Sequence, residues 1–158
     1  MAVGGTLFEL ENVRAVPPEA RVGWWTMEWW WDQPDNPHVK AFVADIRKAT
    51  AKNPTARHWF GYVSVQTFAL LANQEKTVDG LKLAHAMQGF KLPPEVAMQP
   101  AQPDYRAGDH QLMSTVFAGE AHDAKGDPDN LFSVRTLVAG EKAAGPVTET
   151  GCSIAFPA

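Results

Sequence analysis

Five of the chain's six tryptophans fall within eight positions, in the stretch VGWWTMEWWWDQP from Val22 to Pro34. Tryptophan has the largest apolar side chain, and its N–H seeks a hydrogen-bond partner when buried. Any fold of this chain must cover Trp24, Trp25, Trp29, Trp30 and Trp31 or offer them to a partner. Sorted at the strand period, Gly23, Trp25, Met27, Trp29 and Trp31 make one apolar face, and Val22, Trp24, Thr26, Glu28 and Trp30 a mixed one. The pattern predicts a strand over about 20–31, stopped by the turn chemistry of DQPDNP. The apolar face with Trp25, Trp29 and Trp31 suits a core or a subunit interface. The mixed face with Trp24, Glu28 and Trp30 suits a small-molecule site, with flat apolar walls and one orienting polar group, or a place beneath a loop.

Asn36 followed by Pro37 combines an N-cap with a first-turn proline, and Val39, Phe42, Val43 and Ile46 recur at helical spacing. This predicts a helix over about 37–52. Thr55 is placed to cap a second, over about 56–73, whose residues are apolar nearly all round, as in a central buried helix. Thr77 opens a third, over about 78–88, closed by Gly89. Prolines at 93, 94, 100 and 103 then break the helical pattern, and residues 95–156 read as strand-rich. Within them HQLMSTVFAGE and NLFSVRTLVAGE alternate like an antiparallel pair, and TETGCSIAFPA suggests a short last strand. The expected fold is α+β: three helices with antiparallel strands in a single domain, 1–158. A chain of 158 residues is long enough to bury about 70% of its unfolded surface in one such domain.

The formal net charge is −4 without any Lys/Arg cluster, which argues against a nucleic-acid groove or an anionic membrane surface. Cys152 is the only cysteine, so no intramolecular disulfide forms. No signal-peptide pattern is visible at the N-terminus, and no apolar run approaches the roughly 20 residues of a membrane-spanning helix. The expected compartment is the periplasm if the chain is exported, and otherwise the cytoplasm.

Chemistry-bearing motifs are sparse. The histidines at 38, 58, 85, 110 and 122 never fall four apart, and no HExxH occurs. Asp123, Asp127 and Asp129 lack EF-hand spacing, so a solvated turn is expected there rather than a calcium loop. Ser64 lacks the glycines of a nucleophile elbow, and Cys152 has no basic neighbour. Asp109 and His110 are the most enzyme-like pair, but neighbours on a strand point to opposite faces. The expectation is a non-enzyme with no catalytic residue, metal or cofactor. A small hydrolase using Asp109 and His110 stays as the remotest alternative.

In order, ARVGWWTMEWW, NPHVKAFVADIRKA and ARHWFGYVSVQTFALLANQEKTVDGLKLAHAMQGF, followed by Arg106, Asp109, His110 and Gln111 in an R-x-x-D-H-Q strand, form a familiar series. From about Gly4 to Ala121 the chain resembles the C-terminal third of the type I periplasmic substrate-binding proteins of ABC transporters, in the branched-chain amino acid and amide branch. The resemblance implies a solute-binding module related to ABC uptake of amino acids, amides or aromatic acids, in truncated form, with a transporter permease as a possible partner. Members of that family have two lobes and bind ligand in the cleft between them. They are more than twice this length, so their usual ligand residues do not carry over. An oligomeric interaction protein that has lost solute binding is the alternative. The parallel sheet on which the helices would pack is missing, so a homodimer or higher oligomer is expected, with Trp25, Trp29 and Trp31 in or beside the interface.

Overall fold

The computed structural model describes residues 9–21, 23–124, 126, 128–154 and 156. The elements in chain order are α1 (Leu10–Ala15), a 3-10 turn (Pro18–Ala20), β1 (Gly23–Met27), α2 (Pro37–Thr50), α3 (Ala56–Glu75), α4 (Gly80–Ala86), α5 (Pro94–Ala97), β2 (Val116–Ala121), β3 (Phe132–Val138), α6 (Gly140–Ala144) and a second 3-10 turn (Val147–Glu149). They fall into two compact units, each assembled from two separate stretches. Residues 1–59 and 116–138 form unit 1, and residues 60–115 and 139–158 form unit 2.

Unit 1 holds the sheet, an antiparallel set in the order β1-β2-β3. Gly23 pairs with Ala121 and Met27 with Phe117, while Val116 pairs with Val138 and Ala121 with Phe132 on the other side. The β2–β3 register shifts between Ala118 and Gly119. A Cβ at Gly119 would lie 2.0 Å from the Ser133 carbonyl oxygen, so the irregular pairing admits only glycine there. Leu10, Val13, Met27, Trp30, Phe117, Ala121, Leu131 and Phe132 make the buried cluster, with Trp25, Trp31 and Val134 packed against it. The short helix α1, not expected from sequence, joins that cluster through Leu10 and Val13. Arg21 holds its C-terminal end by donating to the carbonyls of Val13 (3.0 Å), Val16 (2.8 Å) and Arg14 (3.3 Å).

α2 begins where its cap directs: the Asn36 side chain accepts from the backbone N–H groups of His38 (3.1 Å) and Val39 (3.3 Å). It ends at Ala51, whose left-handed φ of 58° carries its N–H back to the Arg47 carbonyl. At the start of α3, His58 Nδ1 accepts from the Thr55 backbone N–H at 3.1 Å and lies as close to the Thr55 hydroxyl.

Unit 2 is helical, and among its described residues only the isolated pairs Lys91–Asp104 and Tyr105–Leu112 are strand-like. Asp79, not Thr77, caps α4 by accepting from Lys82 N at 3.0 Å. Gly89 follows with φ +71°, a left-handed turn that favours glycine, and donates to the Tyr105 carbonyl. α3 buries Val63, Thr67 and Leu71 at every fourth position but exposes Phe60, Val65 and Phe68, so it is not covered all round as its composition suggested. The expected strand in the C-terminal tail is also replaced: Val147–Glu149 turns as a 3-10 helix, and the described residues after it form no strand.

Candidate functional site

β1 follows the expected alternation as far as it runs. Trp25 and Met27 turn to the core, and Trp24 is 53% exposed. The strand stops at Met27, opposite Phe117, rather than near position 31. From Glu28 onward the chain bends away, the Gln33 amide donating to the Trp30 carbonyl at 2.7 Å. Period-two sorting therefore lapses, and both Trp29 and Trp30 are buried, at 1% and 4% exposure. Trp30, expected on the ligand-facing side, packs edge-on against Phe132 at 5.3 Å between ring centres. Trp29 meets Phe42 at 5.8 Å, also edge-on. Of the expected interface set, Trp29 thus has almost no free surface, while Trp25 and Trp31 are half-buried against the unit 1 cluster.

Glu28 is half-buried, and desolvation holds its carboxyl above the usual range against its own backbone hydrogen bond. Glu9 is raised for the same reason, with Arg57 opposing and the charges of Glu11 and Glu28 adding. Glu9 lines a cramped space with Leu10, Met27, Trp29, Trp30 and Trp31, too small for an organic ligand at about 10 Å³.

A larger groove of about 350 Å³ lies on unit 1, lined by Trp31, Asp32, Gln33, Pro34, Lys40, Val43, Ala44 and Arg47. Lys40 and Arg47 are seven residues apart on α2, two turns along one face. The Arg47 guanidinium stands 5.4 Å from the Trp31 ring centre and donates to Asn53 Oδ1 at 2.5 Å. A flat apolar wall beside two cations and one carboxylate suits a small anion or zwitterion with a planar body. Sequence reasoning missed this groove. The spacing of Lys40 and Arg47 was visible, but the fold over Trp31 was not.

In unit 2, Glu75, Leu81, Lys82, His85, Ala86 and Phe156 line an open pocket of about 370 Å³. Phe156 stacks on His85 at 4.6 Å and lies 5.7 Å from the His110 ring. The R-x-x-D-H-Q residues form a tight turn, not a strand, with His110 at φ 56°. Asp109 does not orient His110. It takes a two-pronged contact from Arg106 (3.0 and 2.5 Å) and the Gln111 N–H (3.1 Å), and Arg106 also donates to the Gly145 carbonyl. The Arg106 hydrogen bond holds the Asp109 carboxyl below its ordinary range. The pair is a structural clamp, and the base–carboxylate geometry of a hydrolase is not formed.

Of the acidic run considered for calcium, Asp129 pairs with Arg14 and Asp123 with Arg21, while Asp127 lies outside the described residues. No group of three potential metal ligands occurs among the described residues.

The two-unit architecture with its antiparallel sheet has clear relatives. A profile of the periplasmic binding protein family matches residues 1–127. The chain belongs to that family. An amino acid ABC transporter substrate-binding protein from Pseudomonas fluorescens shares the fold over 98% of this chain and 40% of its own, with 22% identity and a TM-score of 0.80. A periplasmic binding protein from Burkholderia mallei matches over 92% and 38%, with 19% identity and a TM-score of 0.78. A solute-binding protein of an ABC transporter from Rhodopseudomonas palustris, solved with 3,4-dihydroxybenzoic acid, matches over 84% and 35%, with 15% identity and a TM-score of 0.67. The chain thus spans about two fifths of the length of these binding proteins. No curated protein sequence matches it significantly.

Proposed function

We propose that this chain is a solute-binding module of an ABC uptake system, acting outside the cytoplasmic membrane and passing its ligand to a permease. The observation that carries the reading is the family match over 127 of the 158 residues. The Trp31 groove supports an amino acid, amide or aromatic acid as ligand: Lys40 and Arg47 favour a carboxylate, and Trp31 a flat body. Trp24 and Glu28 stay in the proposal as accessible or half-buried groups of the same unit, Glu28 accepting from a ligand N–H or O–H. Trp30 leaves it, because its ring belongs to the core. No described helix is long and apolar enough to cross a membrane.

A thermal-shift panel of amino acids, amides and aromatic acids, 3,4-dihydroxybenzoate included, tests this. Ligand at 100 times its Kd adds about 2.7 kcal/mol of stability. A hit should weaken in Lys40→Ala and Arg47→Ala. A flat response across the panel would overturn the proposal and favour an interaction protein without a solute.

A further inference from the structure

From Trp59 to Gln74, α3 carries no charged residue, and within unit 2 it buries one stripe only, Val63, Thr67 and Leu71. Phe60, Val65 and Phe68 are 41%, 68% and 51% exposed, and Gly61 and Ser64 are exposed beside them. At 100° per residue these five positions fill an arc of about 140°, with Gly61 and Phe68 at its middle. A Cβ at Gly61 would meet nothing within 4 Å, so the glycine leaves a notch open to solvent. The face thus has a large knob and an empty notch on one line, seven residues and about 10.5 Å apart.

We infer that this face docks against the same face of a second copy of the chain, the two α3 helices running antiparallel. A twofold axis passing beside Ser64 and Val65 sets Phe68 of each copy over Gly61 of the other. It brings Ser64 and Val65 close to their own symmetry mates. Both knobs then fill both notches, as a closed isologous contact requires. With no charge between Trp59 and Gln74, the symmetric pairing brings no like charges together. The uncovered apolar area is a few hundred Å² per copy, less than the ≈ 800 Å² per partner of a standard interface, so the dimer is reversible and concentration-dependent. The tryptophan segment, expected at the interface from sequence, is engaged inside unit 1 instead.

Sedimentation equilibrium over roughly 1–100 µM, where contacts of this size associate, reads the outcome directly. Wild-type protein should shift from monomer to dimer across that range. Gly61→Phe sets two large rings against each other, Phe68→Ala empties both notches, and each should weaken the dimer about tenfold. Both positions are exposed, so circular dichroism should show the fold intact. The double variant G61F/F68A exchanges knob and notch and should recover most of the lost affinity. Wild-type protein that stays monomeric throughout overturns the inference. So does a double variant no better than its parents, which would assign the face to a different polypeptide.

Discussion

The two units treat their apolar residues in opposite ways. Unit 1 holds all six tryptophans and exposes only Trp24 strongly, because a three-stranded sheet, α1 and α2 supply faces to pack on. Unit 2 is less aromatic, yet its longest helical stretch leaves two phenylalanines and a valine in water. Hydrophobic content therefore does not decide burial. What decides it is whether the topology supplies a second layer, and among the described residues of unit 2 there is no sheet to supply one.

The largest effect should come from aromatic truncation. Trp30→Ala removes a ring from the unit 1 core and should cost about 3–5 kcal/mol, enough to unfold a marginal domain. Phe68→Ala should change chemical-denaturation stability by only about 0.5 kcal/mol at concentrations where the protein is monomeric. Equal costs would mean that the Phe68 ring is covered in solution.

Glycine substitution sharpens the contrast with a smaller effect. Gly119→Ala drives a methyl into the Ser133 carbonyl and should cost about 1–3 kcal/mol. Gly61→Ala, with open space around it and a helical backbone, should stabilise by about 0.5–1 kcal/mol. A neutral Gly119→Ala would show that β2 and β3 part at the register shift.

The helix caps rank next. Asn36→Ala removes the acceptor for two N–H groups of the 14-residue α2 and should cost about 1 kcal/mol by urea denaturation. Asp79→Ala strips one contact from the seven-residue α4 and should cost less. The reverse order would break the ranking.

The smallest effects carry opposite signs with pH. Glu28 has a folded pKa above its unfolded value, so its penalty is absent below the unfolded value and complete above the folded one. Glu28→Gln should therefore raise the melting temperature at pH 7, and the gain should fade towards pH 4. Asp109, lowered by Arg106, contributes stability above its unfolded value that is lost as pH falls through the folded one. Asp109→Asn should lower the melting temperature at pH 7 and matter progressively less in acid. Matching signs would place one of the two carboxyls in a different environment.

Much of this was legible beforehand. Asn36–Pro37 marks the start of α2 through bonds between near neighbours, and β2 and β3 announce themselves by alternation around a polar loop. The family order of motifs was legible too, and the profile match bears it out. What escaped depends on where the chain goes next. Glu28, directly after Met27, falls where the strand period expects a polar residue and the tryptophans resume behind it, so the sequence does not mark the end of β1, and only the limit of its pairing with β2 does. Asp109 and His110 read as neighbours on a strand until Arg106 closes the turn and claims the carboxylate. The apolar residues of α3 foretold a buried helix, but burial needs a partner layer that lies outside the helix's own sequence.

The interleaved assembly of the units has a consequence for synthesis. β1 leaves the ribosome roughly ninety residues before β2, the strand that must pair with it. At about 5–20 residues per second that is a delay of some 5–20 s. Through that interval the nascent chain displays five tryptophans with no β2 or β3 to cover them. A ribosome-bound chain stalled after residue 115 should therefore engage a holding chaperone, and one carried past β3 should release it.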